Sequence, residues 1–499
     1  MRVAVCKAPV TAYSEHPPYH PPRIHPELGA AGFKDTLADN AVYDAVRETF
    51  RLLGFDAANH GTAQWNPLGH LIQRGARVVI KPNFVAHEHG VQVGQRCLTT
   101  HGAVVRAMVD YAFIAGGPES SITIADAPVQ GADFDRIVAQ NGIVAIRDFY
   151  RQSFGFDLGL VDLRQVRAVL DEESALIRKV EQLPGDPRGY SVIDLEEDSR
   201  LRTLDPERPR YAVGDYDDEV TNRRHRAPHH EYVIANTVLD ADVVLNVPKL
   251  KAHSKVGLTM SLKNMVGIVG SKDCLPHHRH GLEGKGGDEF PKDYPRRWLF
   301  AARGNQFLQG KVPRWVWRGL RNAASLVLGA GTPSRERRTA EGTGQQKFFP
   351  SGSWYGNDTI WRTVDDLNFI VHHWGRGRRV FTLADGIVSM EGNGPLKGSP
   401  RATGVILASS DPLALDVAAA ALIGFDWTRI NMLRGMAERS LDRGYSRFTG
   451  NVDEIEVVSN VPELTTFDGL RGREPHLPPA GWRNFVELPT KSVRSAAAV

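Results

Sequence analysis

An apolar run that stops at a proline and continues as a ladder of lysines constrains this chain more than any other feature. From Asp242 to Gly267 the sequence reads DVVLNVPKLKAHSKVGLTMSLKNMVG. Val243, Val244, Leu245 and Val247 have the pattern of a buried strand, and Pro248, with no N–H to give a sheet ladder, stops it. Lys249, Lys251, His253 and Lys255 follow, then Lys263 and Asn264. Positive groups this dense repel one another unless water or an anion lies between them. The stretch is either a solvated basic loop or one wall of an anion site.

Other strands end in the same polar manner. Arg77 to Ile80 reads as a strand leading into Lys81-Pro82-Asn83, and Ser121 to Ala125 as one leading into Asp126. Between them Val104, Met108 and Tyr111 mark a helix face, so the unit is strand, helix, strand and its strands are parallel. Val380 to Ala384 is a strand ending at Asp385, and Val405 to Ala408 one ending at Ser409-Ser410. Two further helices follow from spacing: Asn40–Leu53, with Val42, Val46, Thr49 and Leu53 on one face, and the segment with Ile360, Val364, Leu367 and Val371. Asp411-Pro412 starts another helix, Asp as N-cap and Pro at N1. The expected fold is α/β and Rossmann-like, with a mostly parallel sheet, helices on both faces and two inserted caps. In parallel α/β sheets ligands bind beyond the carboxyl ends of the strands, so the five polar exits should converge on one edge.

The segments expected are 1–150, an N-terminal α/β segment; 151–225, a charged cap; 226–295, the core strand with its Lys/His-rich loops; 296–350, a basic insertion; 351–460, the C-terminal α/β segment; and 461–499, a peripheral tail. Within the first cap, Val166–Val180 reads as a helix, with short strands near Tyr190–Leu195 and Tyr211–Val213. The basic insertion carries eleven Lys or Arg against two Glu over residues 296–347, and its helix at 311–328 mixes Trp315 and Trp317 with arginines. Such a helix packs on the cap or touches a membrane surface.

Two patches offer metal ligands. MEGNGPLKG (Met390–Gly398) reads as a glycine-rich loop that brings Glu391 and Asn393 near Asp385, oxygen donors suited to a hard cation. LPHHRHGLEGKGGDEFP (Leu275–Pro291) offers three histidines, His277, His278 and His280, with Asp288-Glu289 for a two-His-one-carboxylate or similar metal site, His277, His278 and Asp288 first among them, or for closing over a substrate. Its GGDEF string matches a diguanylate cyclase signature, but no strand precedes it and Pro291 follows, so the match is a coincidence. Neither a phosphate-binding loop nor a dinucleotide fingerprint is present.

Taken together, VVIKPN (Val78–Asn83), the lysine ladder, LADGIVSMEGNGPLKG (Leu383–Gly398) and ASSDPLALDVAAAALIG (Ala408–Gly424) resemble the domain-of-unknown-function family numbered 362, in the same order over roughly residues 75–425. LPHHRHG with GGDEFP, and GSWYGNDTIWRTVDDLN (Gly352–Asn368), resemble a subgroup of it. The resemblance implies an α/β core and functional weight on these motifs, but no particular reaction. Some members carry an appended ferredoxin. The three separated cysteines here, Cys6, Cys97 and Cys274, imply no iron–sulfur cluster.

A net charge of +3 gives no reason to expect nucleic-acid binding. No uncharged apolar run reaches the roughly 18 residues of a membrane span, and the N-terminus lacks a signal-peptide core, so a cytoplasmic protein is expected. The function expected is a metal-assisted enzyme acting on a small carboxylate- or phosphate-bearing metabolite by proton transfer, elimination or isomerisation. In it His253, Lys251 and Lys263 carry the chemistry, and Lys81, Asn83, Lys249, Lys255, Asn264 and Asn357 hold the anion. A divalent metal (iron, manganese or magnesium) sits on Asp385, Glu391 and Asn393 or on His277, His278 and Asp288. Iron-dependent oxidation, and non-catalytic binding of an anionic lipid or glycan, are the alternatives.

Overall fold

A computed structural model describes residues 1–88, 95–170, 177–204, 210–213, 218–294 and 350–489. The basic insertion, with the helix expected at 311–328 and its membrane contact, lies outside the described residues. The strands in chain order are β1 (Arg2–Lys7), β2 (Arg77–Pro82), β3 (Ser121–Asp126), β4 (Gly159–Asp162), β5 (Val166–Leu170), β6 (Ile177–Gln182), β7 (Tyr190–Asp194), β8 (Tyr211–Ala212), β9 (Glu231–Ala235), β10 (Val243–Val247), β11 (Lys249–His253), β12 (Gly257–Thr259), β13 (His278–Arg279), β14 (Arg379–Asn393), β15 (Lys397–Ser409) and β16 (Glu456–Ser459).

Ten of these form one sheet in the order β16-β1-β15-β14-β10-β2-β3-β4, with β11 and β12 continuing beyond β10 alongside β14. Pairing is parallel from β14 through β10, β2 and β3 to β4, and antiparallel between β14 and β15 and between β15 and β1. The strands read as continuous apolar runs because helices cover both faces. Val78, Ile80, Val243, Leu245 and Phe381 face a core shared with helices Ala41–Leu52 and Gly102–Gly116. Their neighbours Val79 and Val244 point the other way, into a core shared with helix Ile360–His373. Helix Pro412–Leu422 packs on that second side too, against Ala384, Val405 and Leu407. Asp411 caps it, accepting the Ala414 N–H at 2.9 Å, with Pro412 in the first turn.

Three sequence expectations are corrected. Val166–Val180 is not a helix but holds β5 and the start of β6, an antiparallel hairpin joined across its strands by Arg167 and Glu181 at 2.8 Å. Val166, Val169, Ile177 and Val180 in these strands are β-branched, which favours strands. The glycine-rich stretch after Asp385 is no loop. Asp385 lies inside β14, and residues through Asn393 pair with β15 back to Lys397. The glycines allow that hairpin to pack closely: a Cβ on Gly398 would fall 2.3 Å from Met390 Cγ, and one on Gly394 2.0 Å from the Ala252 carbonyl. Finally, because β15 is antiparallel to β14, the chain at Ser409 heads away from the candidate edge, and the Ser409 hydroxyl donates to the Arg2 carbonyl at 2.8 Å instead of joining the cluster. Four polar clusters, not five, share the candidate edge.

The first cap is stitched into the main body: β4 extends the central sheet, β7 pairs with β9, and β8 pairs with β13. No helix among the described residues is long and apolar enough to cross a membrane. Leu245 lies in a central strand, fully buried. Leu245→Ala should lower the stability read from denaturant unfolding by about 2–5 kcal/mol without loss of the far-ultraviolet spectrum.

Candidate functional site

Pro248 interrupts its strand without ending it. Its carbonyl accepts the Asp385 N–H at 2.8 Å, and the chain resumes as β11, parallel to the next stretch of β14 with Lys249 opposite Asp385. A strand alternates its side chains, so Lys249, Lys251 and His253 share one face while Leu250 and Ala252 enter the apolar core. All five are buried, which rules out a solvated basic loop.

The buried lysines fall into two groups. Lys249 and Lys81 are neutralised. Lys249 Nζ lies 3.0 Å from Asp385 Oδ2 and also donates to the Tyr13 hydroxyl, which itself donates to Asp385 Oδ1 at 2.6 Å. Asp385 further accepts the N–H groups of His101 at 2.9 Å and Ile387 at 3.2 Å. Lys81 Nζ lies 2.7 Å from Asp126, whose other oxygen accepts the Phe84 N–H at 2.6 Å. Gly267 is pressed against this pair: a Cβ there would fall 1.9 Å from Asp126 Oδ1 and 2.3 Å from Lys81 Nζ.

Lys251, Lys263 and Lys272 are not neutralised. Among the described residues none has a carboxylate within ion-pair distance. Lys251 donates to Asn83 Oδ1 at 2.6 Å and the Leu98 carbonyl at 2.8 Å, and Lys272 to the Val266 carbonyl at 3.0 Å. Lys263 has no hydrogen-bond partner among the described residues. Burial, the dominant cause, pushes each of the three down to about 7 from the usual 10.5. Neighbouring charges act in both directions: Lys255 and Lys81 lower Lys263 further, Cys97, Glu88 and Asp126 draw Lys251 back up against Lys249, and Asp126 draws Lys272 up against Lys81, Arg164 and Lys263. His253, two residues from Lys251 and from Lys255 in sequence, is buried and feels Lys263, Lys251, His277 and Lys255, and burial with these charges holds it neutral, well below 6.5. Its Nδ1 accepts the Lys255 N–H at 3.0 Å, which leaves Nε2–H as a donor.

Asparagines tie the centre together. Asn264 accepts from Asn83 at 2.9 Å and donates to Asn246 Oδ1 at 2.7 Å, while Asn246 donates to the Ser261 carbonyl at 3.0 Å. The short helix Ser261–Asn264 that carries Lys263 is held by a buried carboxylate: Asp416 accepts the N–H groups of Ser261 at 2.8 Å and Leu262 at 3.1 Å. Asp416 and Lys272 escape the sequence motifs, although a lone acid inside ALDVAAAALIGF signals a buried partner. Tyr13, in the proline-rich N-terminal loop, carries no local signal. Asn357 spends its side chain on backbone, donating to the His277 and Gly352 carbonyls at 2.9 and 2.8 Å. Lys255 donates to the Ser351 carbonyl.

The two expected metal sets are not assembled. Asp385 is occupied as described. Glu391 accepts the Leu477 N–H at 3.0 Å and Asn393 the Ala480 N–H at 2.9 Å, so this hairpin clasps the C-terminal segment. Asp288 holds the Arg279 and Asp358 N–H groups at 2.5 and 3.0 Å, and His277 Nδ1 bonds the Leu275 carbonyl at 2.6 Å. The alternation of β13 puts His278 with His280 and turns His277 away, and the donors that do gather are His278, His280 and Glu289. A polar depression at the opposite end of the strands is lined by Asp242, His372, Arg376, Arg378 and Arg379, with Arg376 paired to Asp242 at 3.0 Å.

The chain is 23% identical over 350 residues to the thylakoid-associated protein sll1697 of Synechocystis sp., a match covering 70% of this chain and 63% of that protein. The chain thus spans less than two thirds of that relative's length. A family model described as a domain of unknown function, DUF362, matches residues 78–165 and 207–421, spans that contain Lys81, Lys251, His253, Lys263, Lys272, Asp385 and Asp416, and this chain belongs to that family.

Proposed function

We propose that this protein is an enzyme whose lysine centre binds a small metabolite through its carboxylate or phosphate and moves a proton on it. The observation that carries this is buried positive charge: among the described residues Lys251, Lys263 and Lys272 have no carboxylate within ion-pair distance, and their desolvation is a cost that an incoming anion would offset. Lys81 and Lys249, already paired, serve as scaffold.

A lysine near neutrality suits both halves of such a reaction. Protonated, it attracts the anion; deprotonated, it is an amine able to take a proton beside the activated group. Lys263 is the candidate base, since among the described residues it has no hydrogen-bond partner. Lys251, held by Asn83 and Leu98, is the candidate anion holder, and His253 Nε2–H is the candidate donor to a substrate oxygen. Elimination or isomerisation next to a carboxylate uses these roles in sequence.

Sulfate keeps its charge from pH 6 to 9 and is a clean probe of the centre. Its affinity, read by calorimetry, should fall as pH rises through 7 and the lysines lose their protons. Lys263→Gln should weaken sulfate binding about tenfold or more, one ion pair of about 1.4 kcal/mol or greater in a buried setting. Affinity indifferent to both pH and Lys263 would defeat the proposal.

Stability should move in the opposite sense. In the unfolded chain these lysines titrate near 10.5 and in the folded one near 7, so between those values the unfolded state binds more protons. Their contribution to stability therefore rises with pH from about 7 to about 10. Lys263→Gln should reduce that slope and leave or raise the melting temperature at pH 7 in anion-free buffer. Lys249→Met, by contrast, strands Asp385 and should cost about 3–5 kcal/mol, partly recovered by adding Asp385→Asn.

A further inference from the structure

We propose that His278, His280 and Glu289 form a binding site for a divalent transition-metal ion. One ligand atom from each lies within 4.8 Å of the other two. His278 points the same way independently: it is fully buried, and among the described residues neither ring nitrogen has a hydrogen-bond partner. A buried imidazole with both nitrogens unused is costly, and a metal ion is a partner that such a nitrogen accepts.

The other two donors are already oriented. His280 Nε2 lies 2.9 Å from Asp218 Oδ2, which leaves Nδ1 facing Glu289, 3.6 Å from its Oε2. A carboxylate that fixes one ring nitrogen while the other faces the ion is the usual support of a metal-bound histidine. Glu289, itself fully buried, accepts the Gly281 N–H at 3.0 Å and the Ser351 hydroxyl at 3.1 Å. Gly352 closes the loop over His278 with φ +69°, and a Cβ there would fall 2.9 Å from the His278 Cβ. The bare glycine lets the two segments approach.

Two imidazoles and one carboxylate suit zinc, iron(II) or manganese(II) rather than calcium or magnesium, which prefer oxygen. Three protein ligands leave at least one position open in a four-coordinate ion. The site adjoins the lysine centre through one residue: Lys255 donates to the Ser351 carbonyl while the Ser351 hydroxyl donates to Glu289. Metal binding stands apart from the anion chemistry, since it is measurable with no anion present.

The test is titration of the full-length, chelator-treated protein with zinc(II) against a chromophoric competitor, with cobalt(II) absorption reporting the donor set. One equivalent should bind, and its cobalt(II) spectrum should be that of a nitrogen- and oxygen-ligated ion without thiolate. His278→Gln should abolish it. Asp218→Asn, at a half-exposed position outside the donor set, should weaken it about 10–100-fold while the metal-free far-ultraviolet spectrum stays unchanged. Replacing the exposed His16 by Ala should change nothing. Absence of stoichiometric binding, a thiolate-type cobalt spectrum, or binding indifferent to both His278 and Asp218 would overturn the site.

Discussion

The pair of Lys249 and Asp385 is the joint on which the rest of the centre hangs. Pro248 removes a donor at the point where β10 ends, and without a tether the following residues have no reason to stay in the sheet. The salt bridge, shared with Tyr13 and reinforced by the His101 N–H, holds β11 along β14 for another five residues. Strand alternation then places Lys251 and His253 on the face of Lys249, and antiparallel pairing with β12 holds the strand there. Two charges taken out of water gain little net stability from each other. What the pair supplies is register.

The remaining supports act at a distance in sequence. Asp416 lies on a helix of the opposite face, yet its carboxylate anchors the first turn that carries Lys263, and Asn246, Asn264 and Asn83 link that turn to the ends of β10 and β2. The centre is thus built by four separate segments, and each supplies a group that neutralises or aligns a lysine rather than one that touches a neighbour in sequence.

This distribution explains what could be read from the residues alone. The strands around Val78, Ile122 and Val244, and the helices with Val42–Val46 and Val364–Leu367, were legible because a period of 2 or 3.6 is a local property. So was the concentration of lysines at one sheet edge. The interior strand β11 was less so: KLKAH does alternate, but charge and the preceding proline outweighed the period. The orientation of β15 is set by the long β14 hairpin, and glycines that looked like loop residues serve there to let strands pass closely. Pairing of lysines with particular acids is a tertiary fact. Tyr13 lies 236 residues from Lys249, and no spacing rule reaches that far.

The division between neutralised and unneutralised lysines is more informative than their number. If the fold needed only to bury these side chains, each would have acquired a carboxylate, as Lys81 and Lys249 did, because the chain has 58 acidic residues available. Instead Asp126 and Asp385 are spent on the lysines nearest the strands. The acids whose charge reaches Lys251 and Lys272, Glu88 and Asp126, form no ion pair with them among the described residues. Lys251 and Lys263 are left to amide and carbonyl oxygens or to nothing. A fold that places fixed cations in a low-dielectric setting bears the cost in its resting state and recovers it when an anion arrives, which is the energetic signature of a site prepared for charge.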